Sequence, residues 1–213
     1  MTPARTARRE RIEEAAYAVL KEAGYKSTSV LAIARRASAS NETLYNWYGS
    51  KQALFCALVE ANARRARELL EDALRQGDNP LETLAALGPV LLALVTGDRA
   101  VTLNRAAAGD VSDTGTLGQT IARAGRDTIA PLVRDLLESA QRAGLILCDD
   151  PAEAAEIYIS LLIGDLQIRR VIGVIDELSI REAARRSHRA FDLFIRLHAP
   201  GARPPTPDKD TSS

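Results

Sequence analysis

The chain has 213 residues, which is enough for one large domain or two small ones with a buried core. Apolar residues make up 46% and charged residues 26%, which excludes a collagen-like, a disulfide-framework and a wholly disordered protein. Lys and Arg total 28, as do Asp and Glu. If the charges were evenly spread, this zero balance would argue against a nucleic-acid partner.

The first 50 residues predict three helices. Ile12, Ala16 and Val19 fall on one face of a helix over residues 6–23, and Gly24 suits its C-terminal cap. Polar residues 26–29 can supply an N-cap hydroxyl for a short helix over 30–37. A break at 38–40 separates it from a second short helix over 41–48.

The rest of the chain also predicts helices, and no alternating strand pattern is present. The predicted helices cover residues 51–76, 81–95, 98–108, 117–143, 151–172 and 180–198. Ser50 and Asp150 are the expected caps of two of them, and Pro131 predicts a kink. A loop is expected from Gly109 to Gly115, and the tail over residues 200–213 is expected to be disordered.

Nothing in the sequence indicates secretion or a membrane. The longest uncharged stretch, residues 83–97, is shorter than the ~18 apolar residues that a spanning helix needs. The N-terminus has no apolar signal-peptide core. Cys56 and Cys148 lie among apolar residues and are expected to be reduced core residues. These features predict a cytoplasmic protein.

The two short helices and their three-residue break match a helix-turn-helix, whose second helix can enter the DNA major groove. Ile33, Ala34 and Leu44 would hold the pair together. An ordinary three-helix packing unit with a solvated polar face has the same spacing, so the spacing alone leaves both interpretations open.

The distribution of charge favours DNA. Residues 1–51 carry nine basic and five acidic side chains, an excess of four positive charges. The remainder carries 19 basic and 23 acidic side chains, an excess of four negative charges. The zero balance is therefore the sum of a basic head and an acidic body, and the basic head fits an electrostatic footprint on phosphate.

The order Thr28-Ser29-Val30, Ile33-Ala34, Thr43-Leu44-Tyr45, Tyr48 and Ser50-Lys51 resembles the DNA-binding signature of the tetracycline-repressor (TetR) family over residues 8–58. The resemblance implies an all-α homodimer. It implies a three-helix DNA-binding domain over residues 1–50, and a larger helical-bundle domain for ligand binding and dimerisation over 51–199. The protein would be a repressor that binds a palindromic operator in double-stranded DNA and is released by a largely apolar small molecule.

The resemblance also implies roles for residues of the head. The expected DNA-binding residues are Ser29, Ser40, Asn41, Glu42, Thr43, Tyr45, Asn46, Trp47 and Lys51. The hydroxyls of Thr43 and Tyr45 and the Lys51 amine would contact phosphate, whereas the polar residues at the variable positions would set sequence preference. Two departures from the family pattern are the turn, where Ser38-Ala39 replaces Gly-Val, and Glu42, a carboxylate near phosphates.

In the body, the last two predicted helices would form a four-helix dimer interface. Its candidate apolar surface comprises Ile157, Leu161, Gly164, Ile168, Phe191, Phe194, Ile195 and His198. A monomer could instead bury these residues internally. The candidate ligand-binding residues are Leu91, Leu94, Asn104, Tyr158, Leu162 and Asp165, where the polar ones stand at apolar places.

The second hypothesis is a helical-bundle enzyme or small-molecule carrier with an incidental three-helix head. No metal-ligand, cofactor-binding or nucleophile motif is present, which weighs against an enzyme. We therefore predict no catalytic residues, no metal and no cofactor.

Overall fold

In a computed structural model, residues 3–76 and 79–201 are described, and within these ranges the chain is helical with no strand. The helices are α1 (Pro3–Ser27), α2 (Val30–Arg36), α3 (Asn41–Tyr48), α4 (Lys51–Gln76), α5 (Pro80–Thr96), α6 (Asp98–Asp110), α7 (Thr116–Ala124), α8 (Arg126–Arg142), α9 (Pro151–Ile163), α10 (Leu166–Val171) and α11 (Ile180–His198). The all-α prediction is confirmed. The predicted disordered tail lies outside the described residues from position 202 onward.

Serine side chains in the predicted polar breaks cap the helices that follow. The side chain of Ser29 accepts a hydrogen bond from the Ala32 amide, and Ser40 accepts one from the Thr43 amide. Ser50 does the same for Ala53 at the start of α4. Each hydroxyl satisfies an amide that has no partner within its helix, so the chain turns sharply between α2, α3 and α4.

Two long helices predicted from periodicity are each broken into two. The predicted 117–143 helix breaks at Gly125, not at Pro131, which lies within α8. The predicted 151–172 helix breaks at Gly164, whose φ of 51° favours glycine. Arg186 of α11 donates hydrogen bonds to the carbonyls of Leu161 and Leu162 there, at 2.7 and 2.9 Å. A side chain from a distant helix thus caps α9, which periodicity cannot reveal.

The predicted loop from Gly109 to Gly115 is also shorter than expected. Gly109 lies inside α6, which continues to Asp110. The carboxylate of Asp110 is fully buried and accepts hydrogen bonds from the Thr114 hydroxyl and the Leu117 amide. The connection to α7 therefore folds around a single acidic side chain.

Buried apolar residues form two clusters. The first core is formed by α1 to α4 together with Leu103, Ala106 and Ala107 of α6 and Leu117 of α7. The second core is formed by α5, α8, α9 and α11. Helices α6 and α7 thus contribute buried side chains to the same core as the N-terminal helices.

Both cysteines are free thiols, as predicted; Cys148 is buried and Cys56 is partly buried. Among the described residues, no single helix combines the length and apolarity that crossing a membrane requires. Only α5 and α6 taken together pass that test, and they are bent by 49° at their junction.

Candidate nucleic-acid interface

The helix-turn-helix is closed by a strained turn. Ser38 has a φ of 50°, a left-handed conformation that costs a non-glycine residue about 1 kcal/mol. The Ala39 amide donates to the Ala34 carbonyl at 2.9 Å, which fixes the exit of the turn. Ser38 therefore carries this conformation at the position where the family pattern usually has glycine.

The inward side of the motif is apolar, as predicted. Ile33, Ala34 and Leu44 are buried in the first core. This burial fixes α3 against α2 and turns the opposite face of α3 outward.

The outward face of α3 is polar. Asn41, Glu42, Tyr45 and Asn46 are exposed, with Tyr45 at 49%. Trp47 is half-buried and packs on the first core. Four of the predicted base-reading or phosphate-binding side chains therefore face solvent along one short helix.

Two arginines from the start of α1 extend this face. The guanidinium groups of Arg5 and Arg8 lie 5.6 and 5.8 Å from the centre of the Trp47 ring, within cation–π range. Arg8 also donates a hydrogen bond to the Thr43 hydroxyl at 3.1 Å. From the sequence these arginines contributed only to the positive charge of the head, and their place beside α3 was not predicted. The signal was their three-residue spacing, which puts both on one face of a helix.

Several side chains predicted to bind DNA already have hydrogen-bond partners within the protein. The Ser29 and Ser40 hydroxyls cap α2 and α3, and Ser40 lies 2.7 Å from the Thr43 hydroxyl. These hydroxyls orient the helix ends, and their DNA contacts stay predictions.

Lys51 joins α4 to the end of α1. Its ammonium group donates to the Tyr25 carbonyl at 2.6 Å and lies 4.3 Å from the centre of the Tyr25 ring. Burial lowers the pKa of the Lys51 amine. In this conformation Lys51 positions α4 under the helix-turn-helix, and its contact with phosphate stays a prediction.

The candidate ligand-binding residues do not share one place. Leu91, Tyr158 and Leu162 lie in the second core, where the Tyr158 hydroxyl donates to the Leu84 carbonyl at 2.9 Å. Leu94 is partly buried, and the Asn104 amide is bonded to the Ala100 carbonyl of its own helix. Asp165 is exposed, 3.9 Å from Arg169. Their role in ligand binding stays a prediction.

The candidate dimer surface needs one correction. Phe194 was expected on it, but this ring is fully buried in the second core, edge-on to Tyr158 at 5.5 Å between ring centres. The apolar side chains of α10 and α11 that do face solvent include Ile168, Leu193 and Leu197. Phe194 points inward because α11 packs on α5 and α9, and its ring meets Tyr158 of α9.

An exposed polar helix of a helix-turn-helix, flanked by arginines and mounted on a helical body, defines a DNA-binding transcriptional regulator. A family profile described as "Bacterial regulatory proteins, tetR family" matches residues 12–58, and one described as "AefR-like transcriptional repressor, C-terminal domain" matches residues 82–200. The second match spans more than half of the chain, and the chain belongs to the TetR family of transcriptional regulators.

Solved structures agree with this assignment. A protein from Mesorhizobium loti assigned to the TetR family aligns with a TM-score of 0.79 at 22% identity, over 94% of this chain and all of that one. A TetR regulator from Agrobacterium tumefaciens aligns with a TM-score of 0.69 at 26% identity, over 93% and 96%. The flavonoid-responsive regulator FrrA aligns with a TM-score of 0.66 at 26% identity, over 92% and 98%. No curated protein sequence matches the chain.

Proposed function

We propose that the protein is a homodimeric repressor that binds a palindromic DNA operator through α3 and leaves it when a small-molecule effector binds the body. The observation that carries the proposal is the solvent-facing polar surface of α3 beside Arg5 and Arg8. The protein would act in the cytoplasm by binding alone, without catalysis.

Each exposed side chain of α3 has a chemically suitable DNA partner. The amides of Asn41 and Asn46 can bond adenine edges in the major groove, and Glu42 can accept from the amino group of cytosine. Tyr45 can donate to a phosphate, and Arg5 and Arg8 supply positive charge beside it.

A dimer would bring two copies of α3 to one face of DNA. Exposed Ile168, Leu193 and Leu197 on α10 and α11 support self-association, since burying apolar surface is its usual driving force. A two-fold dimer matches a palindrome with half-sites about 34–36 Å apart.

Two similar structures support a ligand-responsive body. FrrA is named as flavonoid-responsive, and a regulator FadR from Bacillus subtilis is described in complex with stearoyl-CoA, although at 19% identity that likeness concerns the fold. Both ligands have large apolar parts. A comparable effector here would enter among α4 to α9, near Leu91, Leu94 and Tyr158.

The DNA-binding proposal is tested with Tyr45→Ala and a matched exposed control, Val111→Ala on the α6–α7 connection. In fluorescence anisotropy with duplex DNA at several salt concentrations, we expect wild type and Val111→Ala to bind with affinity that falls as salt rises. Tyr45→Ala should bind about tenfold more weakly, as expected for losing a hydrogen bond to a charged group. Equal binding by both variants would exclude α3 as the DNA contact.

A further inference from the structure

We propose that the groove between α4 and α7 binds a ligand carrying adjacent phosphate groups, and that this ligand regulates the DNA-binding head. The proposal rests on the proposed function and names the chemistry of one class of effector. The groove has a volume of about 420 Å³, and its polar lining comes from Glu60, Arg64 and Arg67 of α4 and from Thr120 and Arg123 of α7.

The charge of the groove is opposite to that of the body around it. Three arginines face one carboxylate, that of Glu60, whereas residues 52–213 together carry four more acidic than basic side chains. Like charges gathered in one groove repel each other, so their proximity favours binding of an anion. A ligand with several negative charges matches this groove better than a neutral one.

The arginines are also short of partners. Arg67 has Glu71 at 3.8 Å, which is a long ion pair. Arg64 and Arg123 have no ion-pair partner within the part of the chain that the structure describes. Their guanidinium groups therefore keep donors available for a ligand.

The arginines line both walls of the groove. Arg64 and Arg67 lie three residues apart on one face of α4, and Arg123 stands across the groove on α7. Guanidinium groups bind phosphate through two parallel hydrogen bonds, so arginines on both walls favour at least two phosphate groups. The Thr120 hydroxyl donates to the Thr116 carbonyl at 2.9 Å, so its hydrogen is already used. The three arginines of the groove are therefore the donors for the phosphate groups.

Both walls of the groove are connected to the head. The start of α4 is held by Lys51 on the Tyr25 carbonyl, and the Tyr17 hydroxyl donates to the Leu58 carbonyl at 3.3 Å. Leu117 of α7 is buried in the same core as the helix-turn-helix. A ligand that draws α4 and α7 together therefore acts on the helices that support α3. If it weakens DNA binding, bound DNA must weaken ligand binding by the same factor.

The test is calorimetric titration of the full-length protein with inorganic pyrophosphate. We compare Arg123→Gln with Arg142→Gln, because both arginines are exposed and lie in the last turn of a body helix. Arg123→Gln should weaken pyrophosphate binding about tenfold, as expected for one charge-assisted contact, and Arg142→Gln should leave it unchanged. Glu60→Gln removes the one carboxylate among the described residues that line the groove and should tighten binding, an outcome that a misfolded variant cannot produce.

Absence of saturable pyrophosphate binding, or equal losses in the two arginine variants, would overturn the proposal. Orthophosphate serves as a second probe, and equal affinity for both anions would contradict the requirement for adjacent phosphates. DNA affinity is measured on the same samples. If Arg123→Gln lowers DNA affinity without pyrophosphate present, the groove is a DNA contact and the inference fails. DNA binding and pyrophosphate binding are measured separately. If pyrophosphate does not bind, the repressor proposal is unaffected. If DNA does not bind, the calorimetry still tests the groove.

Discussion

The two cores of the protein are built around the same pair of residue types but have different surroundings. In the first core Tyr25 meets Phe55 edge-on at 5.4 Å, and in the second Tyr158 meets Phe194 edge-on at 5.5 Å. The first core contains the helix-turn-helix and parts of α6 and α7, whereas the second joins α5, α8, α9 and α11. The boundary between the cores therefore runs through the body, and α6 and α7 share their buried side chains with the DNA-binding head.

The largest effect on stability is expected when the phenylalanine of either core is replaced. Phe55 and Phe194 are both fully buried, so either change to alanine should lower the free energy of unfolding by about 3–5 kcal/mol. Urea denaturation measures this loss. With the milder change to leucine, only the Phe55 variant should also weaken DNA binding, because only its core supports α3. Equal DNA affinity of Phe55→Leu and Phe194→Leu would contradict the division into two cores.

The second core has one very close helix contact, at Gly88. A methyl group added to Gly88 would lie 1.9 Å from the Ser187 hydroxyl oxygen and 3.1 Å from the Tyr158 hydroxyl. Gly88→Ala should therefore lower the free energy of unfolding by about 1–3 kcal/mol, the usual cost of overpacking. Gly118→Ala is the matched control, because Gly118 is also helical and a methyl group there meets nothing within 4 Å. Thermal unfolding of Gly118→Ala should show equal or higher stability.

The contribution of the buried Asp110 carboxylate to stability can be tested by substitution. Asp110 accepts from Thr114 and Leu117, and an asparagine would place donors where only acceptors fit. Asp110→Asn should lower the free energy of unfolding by about 1–2 kcal/mol, as for a buried polar group left without its partners. Asp113→Asn, exposed in the same connection, should be nearly neutral in the same urea titration.

A smaller effect is expected where charges join the N-terminal helix to the body. Asp98 bonds Lys21 of α1 at 2.7 Å and the buried Arg170 of α10 at 2.8 Å. The hydrogen bond from Lys21 is the main cause that lowers the pKa of Asp98. Because the folded pKa lies below the unfolded value of about 3.9, this stabilisation is complete above about pH 4 and is lost as the pH falls through the folded pKa.

Unfolding measured between pH 6 and pH 3 should therefore show a smaller loss of stability for Asp98→Asn than for wild type. The difference should be under about 1 kcal/mol, because Asp98 is exposed and solvent screens the pair. Asp135→Asn is the control, since the partner of Asp135 is the adjacent Arg134. An identical pH profile for wild type and Asp98→Asn would show that this junction contributes nothing.

The head was the part most accessible to sequence reasoning. The limits of α3 follow from Ser40 before it and Gly49 after it, and the inward and outward faces follow from helical spacing. The breaks at Gly125 and Gly164 were missed because each glycine stands inside a segment with continuous helical periodicity. The break at Gly164 is completed by Arg186, which is 22 positions away in the sequence. Local patterns do not report such contacts.

The site itself was predicted only in part for the same reason. The polar residues of α3 could be assigned from spacing, but the contacts of Arg8 with Thr43 and of Lys51 with Tyr25 depend on how α1 packs against α3 and α4. The ligand residues were the weakest prediction. Polar residues at apolar places were chosen as pocket anchors, but Asn104 bonds its own helix and Asp165 faces solvent.

The central claim is that the head reads a palindromic DNA sequence as one half of a two-fold dimer. Selection of bound duplexes from a random-sequence library by the full-length protein tests it most directly. We expect an enriched palindrome whose half-sites lie about one helical turn, roughly 10 base pairs, apart. Recovery of bound duplexes without any enriched sequence, or of no bound duplex at all, would contradict the account.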